Sequence, residues 1–367
     1  MPFMLRRLYR FITGHIDGIL LCGILLLMFT GLLVLLSASN GSYVRVSGQL
    51  MNMLVALGVM WLFANIPPHY LMRLALPLFI TGCALLVGVA LFGDVVNGAR
   101  RWLHVGVTRI QPSELMKIAL PLMLAWYFNR NEASLKLRNY LIAALLLVIP
   151  VALIARQPDL GTALLITAGG CYVIFLAGLS WRVISTLFVA GLASLPFLWP
   201  ALHDYQRQRI LTLLDPSGDP LGTGYHTIQS TIAVGSGGLL GKGWMNGTQT
   251  HLDFIPERTT DFIFAVYAEE FGLLGNVVLL LLLLFVIGRA MVITANAPTL
   301  FARLLAGAIT LTFFTYAFVN IGMVSGILPV VGVPLPLISY GGTSLVSICL
   351  GFGILMSINT HKKLVQT

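Results

Sequence analysis

The chain has 367 residues, 57% of them hydrophobic and only 10% charged, with a formal net charge of +9. A soluble protein of this size has no means of hiding so much apolar surface, so the composition excludes a water-soluble globular domain and implies a membrane protein. The basic excess lies mostly in short loops and tails. It reads as a topology signal and a contact with anionic lipid, and argues against nucleic-acid binding.

A hydrocarbon core of about 30 Å takes roughly 20 apolar residues per helix. Ten stretches qualify, near 18–37, 47–66, 72–92, 113–129, 139–155, 159–179, 183–201, 262–288, 302–325 and 343–359. The stretches 113–129 and 139–155 are short and are read as tilted or shielded by neighbours. The first follows Arg6, Arg7 and Arg10 and ends at Ser37-Ala38-Ser39, which has a faint look of a cleavage site. Its apolar run exceeds the roughly 7–15 residues of a signal-peptide core, so it is read as a retained helix. The expected fold class is an all-α polytopic membrane protein forming one domain over residues 1–367.

Orientation follows from the basic residues. With the N-terminus in the cytoplasm, the inner side carries Arg6, Arg7, Arg10, Arg73, Arg130, Lys136, Arg138, Arg182, Arg289, Arg303, Lys362 and Lys363. That places both termini inside. Of the 13 carboxylates only Asp17 and Glu132 fall on the inner side. Cys22, Cys83, Cys171 and Cys349 all lie in apolar spans without paired or metal-like spacing, and are read as small core residues.

Two connections on the outer side are unusually rich. The first, about 93–112, holds Arg100, Arg101, Trp102 and Arg109 before Gln111-Pro112-Ser113. The second, about 202–261, far exceeds the lengths of ordinary loops, which marks it as functional. Tyr225, Ile228, Ile232, Trp244, Leu252 and Phe254 give it enough apolar surface to dock on the helices or the membrane. Within it, Gly235-Ser236-Gly237-Gly238-Leu239-Leu240-Gly241-Lys242-Gly243 looks like a nucleotide loop but matches neither the Walker nor the dinucleotide spacing. It is read instead as a tight, close-packed turn near substrate.

Ionised groups are rare in apolar spans and mark functional sites when present. Glu114, Asp159 and Asp261 each fall at the outer start of a span. Helix N-termini expose unpaired N–H groups and a partial positive charge, so carboxylates are stabilised there and phosphate is attracted. Around them stand Arg100, Arg101, Arg109, Arg156, Lys242 and Arg258, with Glu257 beside Arg258. An outer basic cluster of this kind suits a pyrophosphate. Lys117, three residues after Glu114, lies on the same helical face and is expected to pair with it. Glu269 and Glu270 follow Asp261 by two turns, with Glu269 on its face, and are read as hydrogen-bonded structural carboxylates. Asn320, inside the ninth span, is read as interhelical glue.

Six separated motifs then resemble, in order, the SEDS family (shape, elongation, division, sporulation), with the match running from about residue 98 to the C-terminus. They are Gln111-Pro112-Ser113-Glu114, Gln157-Pro158-Asp159-Leu160-Gly161-Thr162, Arg207-Gln208-Arg209 with Asp215-Pro216, the glycine loop, Pro256-Glu257-Arg258-Thr259-Thr260-Asp261-Phe262, and Ser339-Tyr340-Gly341-Gly342-Thr343-Ser344. The short tails and the run His203-Asp204-Tyr205-Gln206-Arg207 are closer to the elongation branch than to the division branch.

The resemblance implies a peptidoglycan polymerase that joins lipid II disaccharide units into glycan strands at the periplasmic face of the inner membrane. It implies a class B penicillin-binding protein transpeptidase as partner, within a rod complex containing MreC and MreD. The family's essential aspartate falls on Asp261, and its glutamate, lysine and second aspartate fall on Glu114, Lys117 and Asp159. Asp261 is expected to act as catalytic base, with the basic cluster and optionally a divalent cation holding the leaving pyrophosphate. No cofactor is required by the sequence, because the lipid pyrophosphate already carries the energy. The rival readings are a lipid II flippase and a scaffold without catalysis.

Overall fold

A computed structural model describes residues 14–96, 99–105, 108–132, 135–157, 159–198, 200, 204–215, 223–252, 254–255 and 257–361. Its first three helices are α1 (Gly18–Ala38), α2 (Tyr43–Ala64) and α3 (Pro68–Phe92). A small antiparallel meander follows, β1 (Asp94–Val96), β2 (Ala99–Val105) and β3 (Thr108–Ile110). Then come α4 (Pro112–Arg130), α5 (Leu137–Ala155), α6 (Leu160–Leu176) and α7 (Trp181–Leu198). The next segment carries α8 (Asp204–Leu214), α9 (Thr223–Ser236) and the single turn α10 (Thr248–His251). Three long helices close the chain: α11 (Ile263–Ala295), α12 (Leu300–Val324) and α13 (Thr343–Thr360).

Each of the ten apolar stretches overlaps one of these helices. Among the described residues seven are long and apolar enough to cross a membrane, namely α1, α2, α3, α5, α11, α12 and α13. The chain is thus a multi-pass membrane protein. α6 is short for a span, and α4 is diluted by Glu114, Lys117 and Arg130. Both are largely buried by neighbours, α4 against α3, α6 and α12, so protein replaces lipid around their polar groups. α12 sits at the centre of the bundle against α4, α6 and α11, while α2 pairs chiefly with α13.

The two rich connections are more structured than their sequences suggest. The first is a sheet in which Asp94 faces Trp102 and Leu103 faces Ile110. Asn97-Gly98, between β1 and β2, is the sequence signal for such a hairpin. In the second, the spacing of Tyr225, Ile228 and Ile232 is that of a helix, and α9 packs on α11.

α11 is two helices broken at Gly272, whose backbone (φ 62°, ψ −160°) is one that glycine alone adopts readily. A break strands backbone groups on both sides, and the glycine loop satisfies them. Lys242 and Gly243 donate their N–H groups to the carbonyls of Glu269 and Glu270, at 3.1 and 3.0 Å. Leu273 and Leu274 in turn donate to the carbonyls of Gly238 and Leu239, at 2.9 and 3.1 Å. The approach is so close that a Cβ on Gly241 would lie 2.1 Å from the Glu270 oxygen. The loop is a close-packed turn, as its composition suggests, and its target is the broken helix.

This fit predicts a contrast between neighbouring glycines. A methyl at Gly237 would sit 2.2 Å from the Ala268 carbonyl, whereas one at Gly235, within α9, meets nothing within 4 Å. Gly237→Ala should cost about 1–3 kcal/mol, as overpacking does. Gly235→Ala should be neutral or stabilise by up to about 1 kcal/mol through helix propensity. Thermal unfolding of the two detergent-purified variants checks this, and equal midpoints would refute the plugged break.

Candidate functional site

Residues 257–262 form a compact turn at the entrance to α11. Glu257 takes a left-handed backbone (φ 49°), and its carbonyl accepts from the N–H groups of Thr260 and Phe262, at 3.1 and 3.3 Å. The Thr260 hydroxyl donates to the Glu257 carboxylate at 2.8 Å. From outside, the turn is held by its backbone. Asn320 of α12 donates to the carbonyls of Asp261 and Val333, at 2.7 Å each. The Ser339 hydroxyl donates to the Thr260 carbonyl at 2.6 Å, and the Tyr340 N–H to that of Thr259 at 2.9 Å. Gln49 of α2 braces the same segment, donating to the Ser339 carbonyl at 3.1 Å and accepting from the Gly341 N–H at 3.2 Å.

Because the backbone is clamped, the carboxylates are left to the cleft. The N-cap of α11 is Phe262, and no side chain caps it. Asp261 is therefore not a helix cap, the structural role its position in the sequence most simply suggests. It lines a cavity of about 240 Å³ with Glu257 and Phe262, Arg209 and Thr212 of α8, His226 and Thr227 of α9, and the segment 328–332. Burial, reinforced by the Glu257 charge and opposed by Arg209, pushes the Asp261 carboxyl up to about 6. A carboxylate that titrates there can accept a proton near neutral pH.

Arg209 and His226 are the cleft residues that sequence reading left out of the site. Arg209 belongs to a quoted motif, but nothing in it tells Arg209 from Arg207 as the one that reaches the cleft, and His226 sits in a helix far from Asp261 in sequence. Only the packing of α8 and α9 brings them there.

The other predicted residues fall into separate groups. Lys117 donates to Glu114 at 2.6 Å with both side chains nearly buried, as their spacing predicts. The Ser347 hydroxyl of α13 donates to the second Glu114 oxygen at 2.9 Å, and the ammonium lies 5.2 Å from the centre of the Tyr316 ring of α12. Asp159 is a true N-cap, accepting from the Thr162 N–H at 3.3 Å. Arg101 of β2 approaches it at 4.0 Å and Gln111 donates to it at 3.4 Å. This group lies one layer of backbone from the cleft. The start of α6 packs on the carbonyls of Val331 and Gly332, and Gly332 faces the Asp261 carboxylate.

Lys242 is turned away from the cleft. It donates to Glu269 at 2.8 Å and to Thr248 at 2.7 Å. Glu269 also accepts from the backbone of Gln249 and Thr250 and from the Thr250 hydroxyl. It is a structural carboxylate, and it does not share the face of Asp261 because regular helix begins only at Ile263. Glu270 is held by the Ser37 hydroxyl. Arg258 donates to the Thr250 carbonyl, bracing the same segment. Arg100 and Arg109 lie on β2 and β3, with side chains outside the described residues. Among the described residues no group of three or more His, Cys, Asp or Glu is placed to hold a metal ion. Glu257 and Asp261 are the two carboxylates that line the cleft.

The model of the FtsW, RodA and SpoVE cell cycle proteins matches residues 18–364. The chain belongs to that family. The peptidoglycan glycosyltransferase MrdB of Escherichia coli K12 is 51% identical over 96% of this chain and 95% of its own length. A solved chain from a peptidoglycan synthase complex that coordinates polymerization and crosslinking superposes with a TM-score of 0.81 at 36% identity, covering 96% of this chain and 99% of that one. The rod shape determining protein RodA of Thermus thermophilus gives 0.71 at 29% identity, covering 94% and 96%. The kinship drawn from the six motifs extends over residues 18–364.

The Glu114–Lys117 geometry makes a direct prediction. Lys117→Met strands a nearly buried carboxylate and should destabilise by roughly 3–5 kcal/mol, as breaking a buried pair does. Adding Glu114→Gln should recover at least about 1 kcal/mol of that loss. Additive midpoint shifts in a thermal double-mutant cycle would show that the pair does not interact.

Proposed function

We propose that this chain is a peptidoglycan glycosyltransferase of cell-wall elongation that polymerises lipid II at the periplasmic face of the inner membrane. The observation that carries the proposal is Asp261, a carboxylate raised to about 6, released from capping and sharing a largely apolar cleft with Arg209 at a helix entrance. The relatives named as peptidoglycan glycosyltransferases match nearly end to end.

In this reading Asp261 takes the proton from the acceptor hydroxyl as that oxygen attacks the anomeric carbon of the donor. The bond from that carbon to the pyrophosphate oxygen breaks, and the undecaprenyl pyrophosphate leaves with its electron pair. One in-line displacement converts the α-linked donor into a β-1,4 bond. Arg209 stabilises the departing charge. Glu257 keeps the Asp261 carboxyl basic, and would be a ligand, with phosphate oxygens, for any divalent cation bound there. Glu114, Lys117, Asp159 and Arg101 position the helices around the cleft instead of entering it. The ten-span topology, with 202–261 outside, belongs to the same proposal, as do a class B penicillin-binding protein partner and a rod complex with MreC and MreD. The neighbour from a polymerising and crosslinking complex supports the transpeptidase partner.

Two experiments test this reading. Asp261→Asn should abolish polymerisation of purified lipid II while the protein stays folded. Since the folded state holds the Asp261 proton more tightly than the unfolded chain, ionisation costs stability as pH rises from about 4 to about 6. The midpoint of the Asn variant should therefore gain on wild type across that window. Polymerisation at wild-type rate would remove Asp261 as base and leave transport of lipid II as the reading to pursue. For topology, a membrane-impermeant thiol reagent should label Gly218→Cys and not Lys136→Cys in a cysteine-free background, and the reverse pattern would invert the proposed face.

A further inference from the structure

His226 has no role in the reaction as written, yet it occupies the same cavity as Asp261. Its ring stacks on Phe262, with centroids 5.7 Å apart and planes 23° from parallel. That contact fixes the ring one residue from the catalytic carboxylate. Its Nδ1 is buried and has no hydrogen-bond partner among the described residues. A buried polar atom is costly to leave unpaired, so it calls for a partner. The groups around it supply charges but no partner. Arg209 comes from α8, Glu257 and Asp261 come from the turn, and segment 328–332 contributes Leu328, Pro329, Val330 and Gly332, none of which titrates.

On the polymerase reading above, we propose that His226 is a substrate-contacting residue whose Nδ1 hydrogen-bonds a hydroxyl of the sugar bound in the cleft and turns that sugar toward Asp261. The ligand class follows from the chemistry of the ring. Burial holds the His226 imidazole below its usual range, against the opposing pull of Glu257, so the ring is neutral at neutral pH. A neutral Nδ1 in either tautomer pairs with a hydroxyl, which both donates and accepts. A phosphate only accepts and is better matched by the Arg209 guanidinium. The cleft thereby divides its work, with Arg209 for the anion, His226 for the sugar and Asp261 for the proton.

The test uses two replacements of different shape in the full-length protein with purified lipid II. His226→Phe keeps a ring on Phe262 and removes both nitrogens. His226→Asn places an amide near the position of Nδ1 without a titrating group. Kcat/KM should fall about tenfold or more in His226→Phe, mostly through KM, and recover substantially in His226→Asn. A His226→Phe enzyme with unchanged KM, or a His226→Asn enzyme no better than His226→Phe, would overturn the assignment and leave the histidine as packing. Loss of activity in Asp261→Asn is independent of either outcome, so failure of the polymerase reading stays distinguishable from failure of this one.

Discussion

Inside an apolar bundle, a helix can break only if its stranded backbone groups find partners within the protein. That requirement shapes the centre of this fold. α11 breaks at Gly272, and the glycine loop supplies two donors and two acceptors to close the gap. The sixty-residue region before α11 is thereby stitched to the bundle at residues 238–243. Lys242 and Glu269 complete the joint with a largely buried ion pair. The loop resembles a phosphate cradle in composition, but its N–H groups are spent on helix carbonyls.

The cleft depends on a second application of the same rule. The backbone of the 257–262 turn is satisfied by Asn320, Ser339 and Tyr340, and Gln49 holds the segment that carries the last two. α12 and the 339–341 segment, far apart in sequence from the turn, therefore meet on it, with α2 bracing that segment from behind. With its carbonyls occupied by neutral side chains and backbone N–H groups, Asp261 is left without a structural duty and with a raised proton affinity. A preorganised carboxylate of this kind avoids reorganisation when charge develops.

α12 links the polar groups that the bundle keeps apart. Asn320 touches the Asp261 carbonyl, and one turn earlier Tyr316 lies over the Lys117 ammonium. Lys117 is paired with Glu114, which α13 reaches through Ser347. Lys117 and Glu114 thus partner each other in the interior, which is the condition under which ionised groups are tolerated there. The carboxylates of Glu257 and Asp261 instead face a cavity that a ligand can fill.

Much of this was legible in the sequence, because its causes are local. Apolar run length located the helices, and the spacing of Glu114 and Lys117 on one helical face required their pairing. Six ordered motifs carried the family. By position alone three carboxylates at three apparent helix starts looked equivalent; the family resemblance singled out Asp261, and only tertiary structure showed what each one touches. Asp159 caps α6, Glu114 pairs within α4, and Asp261 stands in a turn before α11 begins. Likewise Lys242 carries the same charge as Arg209, and nothing local says that one is consumed by Glu269 while the other enters the cleft. A helix period fixes which residues share a face. Which faces meet is decided by the packing of α9 on the broken α11 and of α8 on α9, through contacts between residues dozens of positions apart, and those contacts placed His226 beside Asp261.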